Sequence, residues 1–319
     1  MFLLIALLTG CDNLPEMNQP GALVPLTADQ DSSIPAVTIN GARIHTEAFG
    51  PVDGPLLVVL HGGPGADYRY LLNCKAFANA GYRVIFYDQR GTGLSERFPK
   101  SIYTLQLQYD DLSAVIEHYR STPNQNVFLL GHSWGAMLAS AYIDKYPNAI
   151  QGAILAEPGG LVWSDVEVYL ERSQKIKLFD EYLNDATYFD QFVTGTADEH
   201  ALLDYKLSIN SSTGVDNVGN EGEVPFWRPG AVTFSAYIDI GEDEKPDWTT
   251  NLKTYTPDVL FLYSENNKAY GESHARKVSS AYPNVTLFQV NDAGHDMLTF
   301  PKGWSNAYPV ILSYLNTLN

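Results

Sequence analysis

The stretch "GHSWG" at residues 131–135 sets Ser133 between two glycines, each two positions away. A serine hydroxyl becomes a nucleophile when its backbone presents it to a substrate and a base takes its proton. A sharp strand-to-helix turn presents it by forcing a strained conformation, and only glycines at those two positions leave room for it. The flanks have that order: "NVFLL" is strand-like, and "AMLASAYIDKYP" is helical. A helix opening beneath the serine also favours developing negative charge. The plainer alternative is a serine that only caps a helix.

"HGGPG" at 61–65 follows a second strand-like run, "LLVVL". Glycines there allow a close backbone approach and aim N–H groups into a cavity. Acyl transfer needs two such donors where the tetrahedral oxyanion forms. The backbone N–H groups of Gly63 and Trp134 are the pair assigned, with a plain glycine-rich turn as the alternative.

These loops need a frame. Apolar runs in "PLLVVLHGGPG", "YRVIFYDQRGTGLS", "NVFLLGHSWG", "IQGAILAEPGG", "DVLFLYSENN" and "NVTLFQVNDAGH" alternate with helix-length segments. Strands apolar on both faces and spaced by helices predict an α/β fold, a mostly parallel sheet with helices on both faces. "TLQLQYDDLSAVIEHYRS" (104–121) predicts a covering helix with Leu105, Tyr109, Leu112, Val115, Ile116 and Tyr119 near one face. "AVTINGARIHTEAFG" predicts a hairpin turning on Asn40-Gly41. Between the fourth and fifth strands, residues 160–255 are rich in aromatics and hold 18 acidic against 7 basic residues. They are expected to form an inserted, mostly helical cap, with the core formed by 36–159 and 256–319. Within the cap, 208–225 reads as a mobile loop.

Of the 319 residues, 45% are apolar and 18% charged, as in an ordered globular protein. The formal net charge of -17 argues against nucleic acid and anionic lipid headgroups as partners. At the N-terminus, "FLLIALLTGC" is an apolar run too short to span a bilayer, ending in small residues and Cys11. It resembles a bacterial lipoprotein signal, which implies cleavage after Gly10 and lipidation of Cys11, with an ordinary secretory signal as the alternative. Residues 1–10 would then be the signal peptide and 11–35 a lipidated, flexible tether. The expected location is the cell envelope, with membrane contact through that anchor alone. No basic residue precedes Phe2, so the natural start is expected upstream of Met1. Cys74 reads as a small packed residue.

In order and spacing, "HGGPG", "DQRGTGLS" and "GHSWG" resemble the α/β-hydrolase fold, and more narrowly its proline iminopeptidase-like branch. The resemblance covers 37 to about 158 well and 256–319 acceptably, but not the cap. It implies Ser133 as nucleophile, Gly63 and Trp134 as oxyanion donors, and a loop-holding role for Asp88, Arg90 and Ser95. The base would be a histidine in the loop after the last strand, which singles out His295 of the seven histidines.

The acid is the open question. Where the family places Gly and, three residues on, Asp after the fifth strand, this chain has Ser264 and Asn267. An amide cannot fix the histidine tautomer as a carboxylate does. Glu157, at the end of "GAILA", keeps the chain order serine, acid, histidine and is the first choice. Glu265, Asp292, or Asn267 in an incomplete site are the alternatives, and Glu157 could instead bind a substrate amine. The reading is a serine hydrolase without metal or cofactor, acting on a small peptide or amide. A carboxylesterase or lipase-like enzyme is the alternative, and a non-catalytic ligand-binding lipoprotein is the alternative of another class. Trp163, Phe179, Tyr182, Tyr188, Phe189, Phe226 and Trp227 are candidates to line an apolar pocket, with the core of the cap itself as the commoner role of such aromatics.

Overall fold

The computed structural model describes residues 23–173, 197–211 and 218–318. Asn40 and Gly41 both take positive φ, 45° and 79°, and close the hairpin of β1 (Ala36–Ile39) and β2 (Ala42–Phe49). Asparagine and glycine tolerate that backbone best, and the twist of such a turn suits paired strands. Then come β3 (Leu56–Leu60), a 3-10 turn (Tyr68–Lys75), the short α1 (Ala76–Asn79), β4 (Arg83–Tyr87) and α2 (Leu105–Tyr119). β5 (Val127–His132), α3 (Trp134–Lys145) and β6 (Gly152–Ala156) follow. The eight strands lie in the order β1-β2-β4-β3-β5-β6-β7-β8, with β7 (Val259–Ser264) and β8 (Val285–Val290) last. β2 pairs antiparallel with β4, and every pairing from β4 through β8 is parallel. All six apolar runs read as strands are therefore strands.

β3 shows why these runs lack a polar face. Leu56, Val58 and Leu60 point into one core with Leu112 and Val115 of α2 and Ala136 of α3. Leu57 and Val59 point into the other, with Phe77 of α1 and Ile311 and Leu315 of α8 (Pro301–Thr317). Alternate side chains leave opposite sides of a strand, so both must be apolar when helices cover both. Cutting one of these leucines to alanine would cost about 2–5 kcal/mol. α2 starts where the Thr104 side chain accepts the Leu107 N–H, and it buries Tyr109, Leu112, Val115 and Ile116. Helix α7 (Gly271–Ser279) joins the first core through Ala275 and Val278. The chain leaves β3 for β4 on one side and returns to β5 on the other. A crevice opens at such a switch point.

The inserted cap carries α4 (Trp163–Ser173), α5 (Ala197–Ser211) and α6 (Ala231–Glu244). It is pinned to the core by a buried cluster in which Arg97 and Arg228 both donate Nε–H to Asp204 Oδ2, at 3.0 and 2.7 Å. Breaking such a cluster by removing one member is costly because it leaves a buried charge unpaired.

Two expectations are corrected. The tether read over 11–35 does not extend to its end: Thr27 and Ala28 are buried, and Ala28 N–H donates to Leu94 O. Pro25 O accepts from Arg228, and Pro35 O from Thr46 N–H. The described part of the supposed mobile loop, 218–225, is tied down by bonds to the His295 loop. Both misreadings come from polar composition, which cannot register main-chain bonds to distant partners. Trp163 is core, its ring filling the space beside Gly241. Cys11, the signal segment and Phe179, Tyr182, Tyr188 and Phe189 lie outside the described residues. Cys74 is buried, which pushes its thiol pKa up. Among the described residues, no helix is long and apolar enough to cross a membrane.

Candidate active site

β5 ends at His132, whose register partner on β6 is Ala156, so Ser133 and Glu157 are the next residues on adjacent strands. Ser133 N–H donates to Ala156 O at 2.8 Å, fastening the turn. Ser133 has φ 54° and ψ −120°, a conformation that a non-glycine residue holds only when its surroundings impose it. The flanking glycines are required by contact. A Cβ on Gly131 would lie 2.4 Å from Gly135 O, and one on Gly135 would lie 2.1 Å from Leu60 O. Trp134 opens α3, so its amide has no acceptor in its own helix.

β3 neighbours β5 (Leu60 opposite Gly131), which brings the HGGPG loop beside the serine. A Cβ on Gly62 would sit 3.1 Å from Ser133 Cβ. The Gly62 amide is occupied, donating to Tyr70 OH at 2.7 Å. Neither the Gly63 nor the Trp134 amide donates to an acceptor among the described residues. Gly63 has φ 126°, closed to other residues, and a Cβ there would strike Gly65 N at 2.0 Å.

Glu157 is fully buried and has φ 46°. Its N–H donates to Leu262 O of β7, which sets its side chain against the end of that strand. Oε1 accepts Ser264 N–H at 2.7 Å and Ser264 Oγ–H at 2.6 Å. Oε2 accepts Asn267 Nδ2–H at 2.8 Å and His295 Nδ1–H at 2.6 Å. A buried carboxylate needs such donors. The two positions that depart from the family pattern, Ser264 and Asn267, thus both donate to the carboxylate on the neighbouring strand. That joint departure was the sequence signal for this carboxylate's surroundings. Glu265 is exposed and accepts Asp292 N–H at 2.9 Å, and Asp292 is exposed.

Glu157 engages Nδ1 of His295, so Nε2 is the ring nitrogen on the side away from the acid. The His295 loop is held from three directions. His295 N–H donates to Val218 O, and Asp296 N–H donates to Asn220 Oδ1, both at 2.8 Å. His295 O accepts His132 Nε2–H at 2.8 Å. Burial, and then the nearby His295, push the His132 pKa down to about 4, so it is neutral at pH 7. Its Nδ1 therefore accepts from Tyr70 OH at 2.8 Å. The relay from Gly62 through Tyr70 and His132 to His295 joins three loops. Tyr169 of α4 places its OH 3.3 Å from His295 Nδ1 and 3.2 Å from Asn267 Nδ2. Tyr169, Tyr70 and the 218–220 segment had no recognisable pattern in the sequence. Phe226 is exposed and packs edge-on to Tyr70 at 5.6 Å, while Trp227 stands edge-on to Tyr68 and His45.

Asp88, Arg90 and Ser95 hold their loop. Asp88 accepts from His45 Nδ1, Leu94 N–H and Tyr68 N–H, and Ser95 Oγ–H donates to Asp88 O. Arg90 makes a two-pronged bond to Asp111 at 2.7 and 2.8 Å.

The profile of the alpha/beta hydrolase fold family matches residues 55–300. The chain belongs to that family. It is 36% identical over 278 residues to the proline iminopeptidase PfmaB of Pestalotiopsis fici, covering 82% of this chain and 92% of that protein. It is also 36% identical over 117 residues to epoxide hydrolase B of Mycobacterium tuberculosis, spanning 36% of this chain and only 32% of that relative's length. Among solved structures, the proline iminopeptidase of Mycobacterium smegmatis superposes with a TM-score of 0.59 at 20% identity. That superposition covers 89% of this chain and 97% of that one, a likeness of fold.

Proposed function

We propose that the protein is a serine hydrolase that cleaves a small amide, peptide or ester through an acyl-enzyme, in the manner of a proline iminopeptidase-like aminopeptidase. Ser133 Oγ attacks the substrate carbonyl while His295 Nε2 takes its proton. Glu157 holds the His295 tautomer and stabilises the imidazolium. The Gly63 and Trp134 amides receive the oxyanion. Collapse of the tetrahedral intermediate expels the amine or alcohol, which leaves with the proton from His295. Water, deprotonated by the same nitrogen, then releases the acid and restores Ser133. The observation that carries this reading is the 2.6 Å contact of Glu157 with His295 Nδ1 beside a strained serine elbow. The aminopeptidase assignment rests on the relative PfmaB, which matches over most of both chains.

The test is covalent labelling by a fluorophosphonate probe, with turnover of proline p-nitroanilide and p-nitrophenyl acetate. Labelling abolished by Ser133→Ala supports a serine hydrolase, and the substrate ratio then separates aminopeptidase from esterase. A folded wild type that never labels would sink the reading in favour of a ligand-binding role. We also propose that Cys11 is lipidated and anchors the protein in the cell envelope, on the strength of "LTGC" after the apolar run. Incorporation of an alkyne fatty acid that persists in Cys11→Ser would refute that.

A further inference from the structure

The donors around Glu157 define a socket that the side chain of Asn267 also enters. Asn267 is itself buried, and its orientation is fixed: Oδ1 accepts Tyr270 N–H at 3.2 Å, so Nδ2 is the atom turned toward Glu157 Oε2, 2.8 Å away. The same Nδ2 lies 3.2 Å from Tyr169 OH, and that hydroxyl lies 3.3 Å from His295 Nδ1. Glu157 Oε2 and Asn267 Nδ2 are therefore adjacent seats in one pocket beside one ring nitrogen. A carboxylate in both seats would set two anions at hydrogen-bond distance, where both cannot ionise freely. A carboxylate in one seat and an amide in the other gives donor opposite acceptor.

We infer that residues 157 and 267 form an exchangeable acid–amide pair, in which Asn267 is a positioning residue that orients Glu157, and in which the carboxylate can be moved to position 267 with its function partly kept. The inference rests on the serine-hydrolase reading above. It predicts more than a structural role for Asn267, because an amide that only braced the turn before α7 would have the same effect whatever occupied position 157.

The test is a double-mutant cycle on the full chain, read as the rate of fluorophosphonate labelling of Ser133, with circular dichroism melts to show that each variant folds. Glu157→Gln slows labelling by roughly 10⁴. Adding Asn267→Asp to that variant restores about 10-fold. The same Asn267→Asp change in the wild type gives no gain, so its sign reverses between backgrounds. A folded double variant no faster than Glu157→Gln overturns the pair, while failure of the wild type itself to label overturns the hydrolase reading instead. Should the double variant not fold, Asn267→Asp alone decides. Its melting temperature, relative to wild type, falls from about pH 5 to about pH 8 as two facing carboxylates, beside His295 and Tyr169, lose their shared proton. A flat difference over that range overturns the pair.

Discussion

Two buried carboxylates in this molecule each grip the Nδ1 of a histidine, and the two rings differ in how closely they are covered. Asp88 meets His45 Nδ1 at 2.7 Å, and Glu157 meets His295 Nδ1 at 2.6 Å. Both acids are fully buried, and both accept further hydrogen bonds. The difference lies in the cover of the ring. His45 Nε2 is closed off by Tyr68 OH at 3.2 Å, and its ring stacks on Tyr68. The His295 side chain keeps 13% of its surface exposed against 4% for His45. On the proposed reading, the covered pair is a brace and the more exposed pair holds the base.

Exchanging acid for amide in each pair should separate the two roles. Glu157→Gln is expected to lower kcat/KM by roughly 10⁴, the cost of that change in a serine-protease triad, with the fold intact. Asp88→Asn is expected to destabilise the chain by about 3 kcal/mol, because it turns Oδ2, the shared acceptor of His45 and Leu94, into an amide NH2 while Oδ1 can still accept from Tyr68. The protein that stays folded should then turn over at close to the wild-type rate. Urea melts and single-turnover acylation measure the two effects independently. A large loss of acylation in folded Asp88→Asn would break the contrast.

The sequence made one half of this comparison plain and left the other half open. Strands β3 to β8, the Asn40-Gly41 turn and the Ser133 elbow are written in local residue order, through apolar runs and glycines that a Cβ would exclude. Asp88 and its loop could be assigned a holding role from the motif around them. The acid could only be narrowed to candidates, because the seat of Glu157 is built from the ends of two strands, β6 and β7, and Glu157 and Ser264 are 107 residues apart. Even so, Ser264 and Asn267 stood out as departures, and both proved to be donors to Glu157. Tyr169, Val218 and Asn220 were invisible because α4 and the 218–220 segment reach His295 through tertiary contacts with no periodic signature. The same holds for Pro25 to Pro35, whose polar composition hid main-chain bonds to Thr46, Leu94 and Arg228.

A third carboxylate sharpens the contrast, since Asp67 is buried with no histidine at all. It accepts the N–H groups of Arg69, Trp227 and Arg228 at 3.0, 2.7 and 3.0 Å, tying the HGGPG side of the crevice to the cap. Burial, and then the charge of Asp88, push its pKa up to about 7, against the pull of those three amides. An aspartate in the unfolded chain titrates near ~3.9. Between about pH 4 and about pH 7, therefore, the folded state keeps a proton that the unfolded state has lost, and stability falls as pH rises. Below that window both states are protonated, and above it both are ionised, so the slope vanishes. Asp67→Asn cannot ionise. It should be less stable than wild type near pH 5, where its amide hydrogens meet a backbone N–H, and the gap should narrow as pH approaches 7. Asp88→Asn should move the same slope to lower pH by removing the neighbouring charge. Thermal melts at about pH 5, 6 and 7 measure both shifts. A gap that stays constant across them would show that Asp67 is ionised throughout, and that backbone amides alone can do for a buried carboxylate what His45 does for Asp88 and His295 for Glu157.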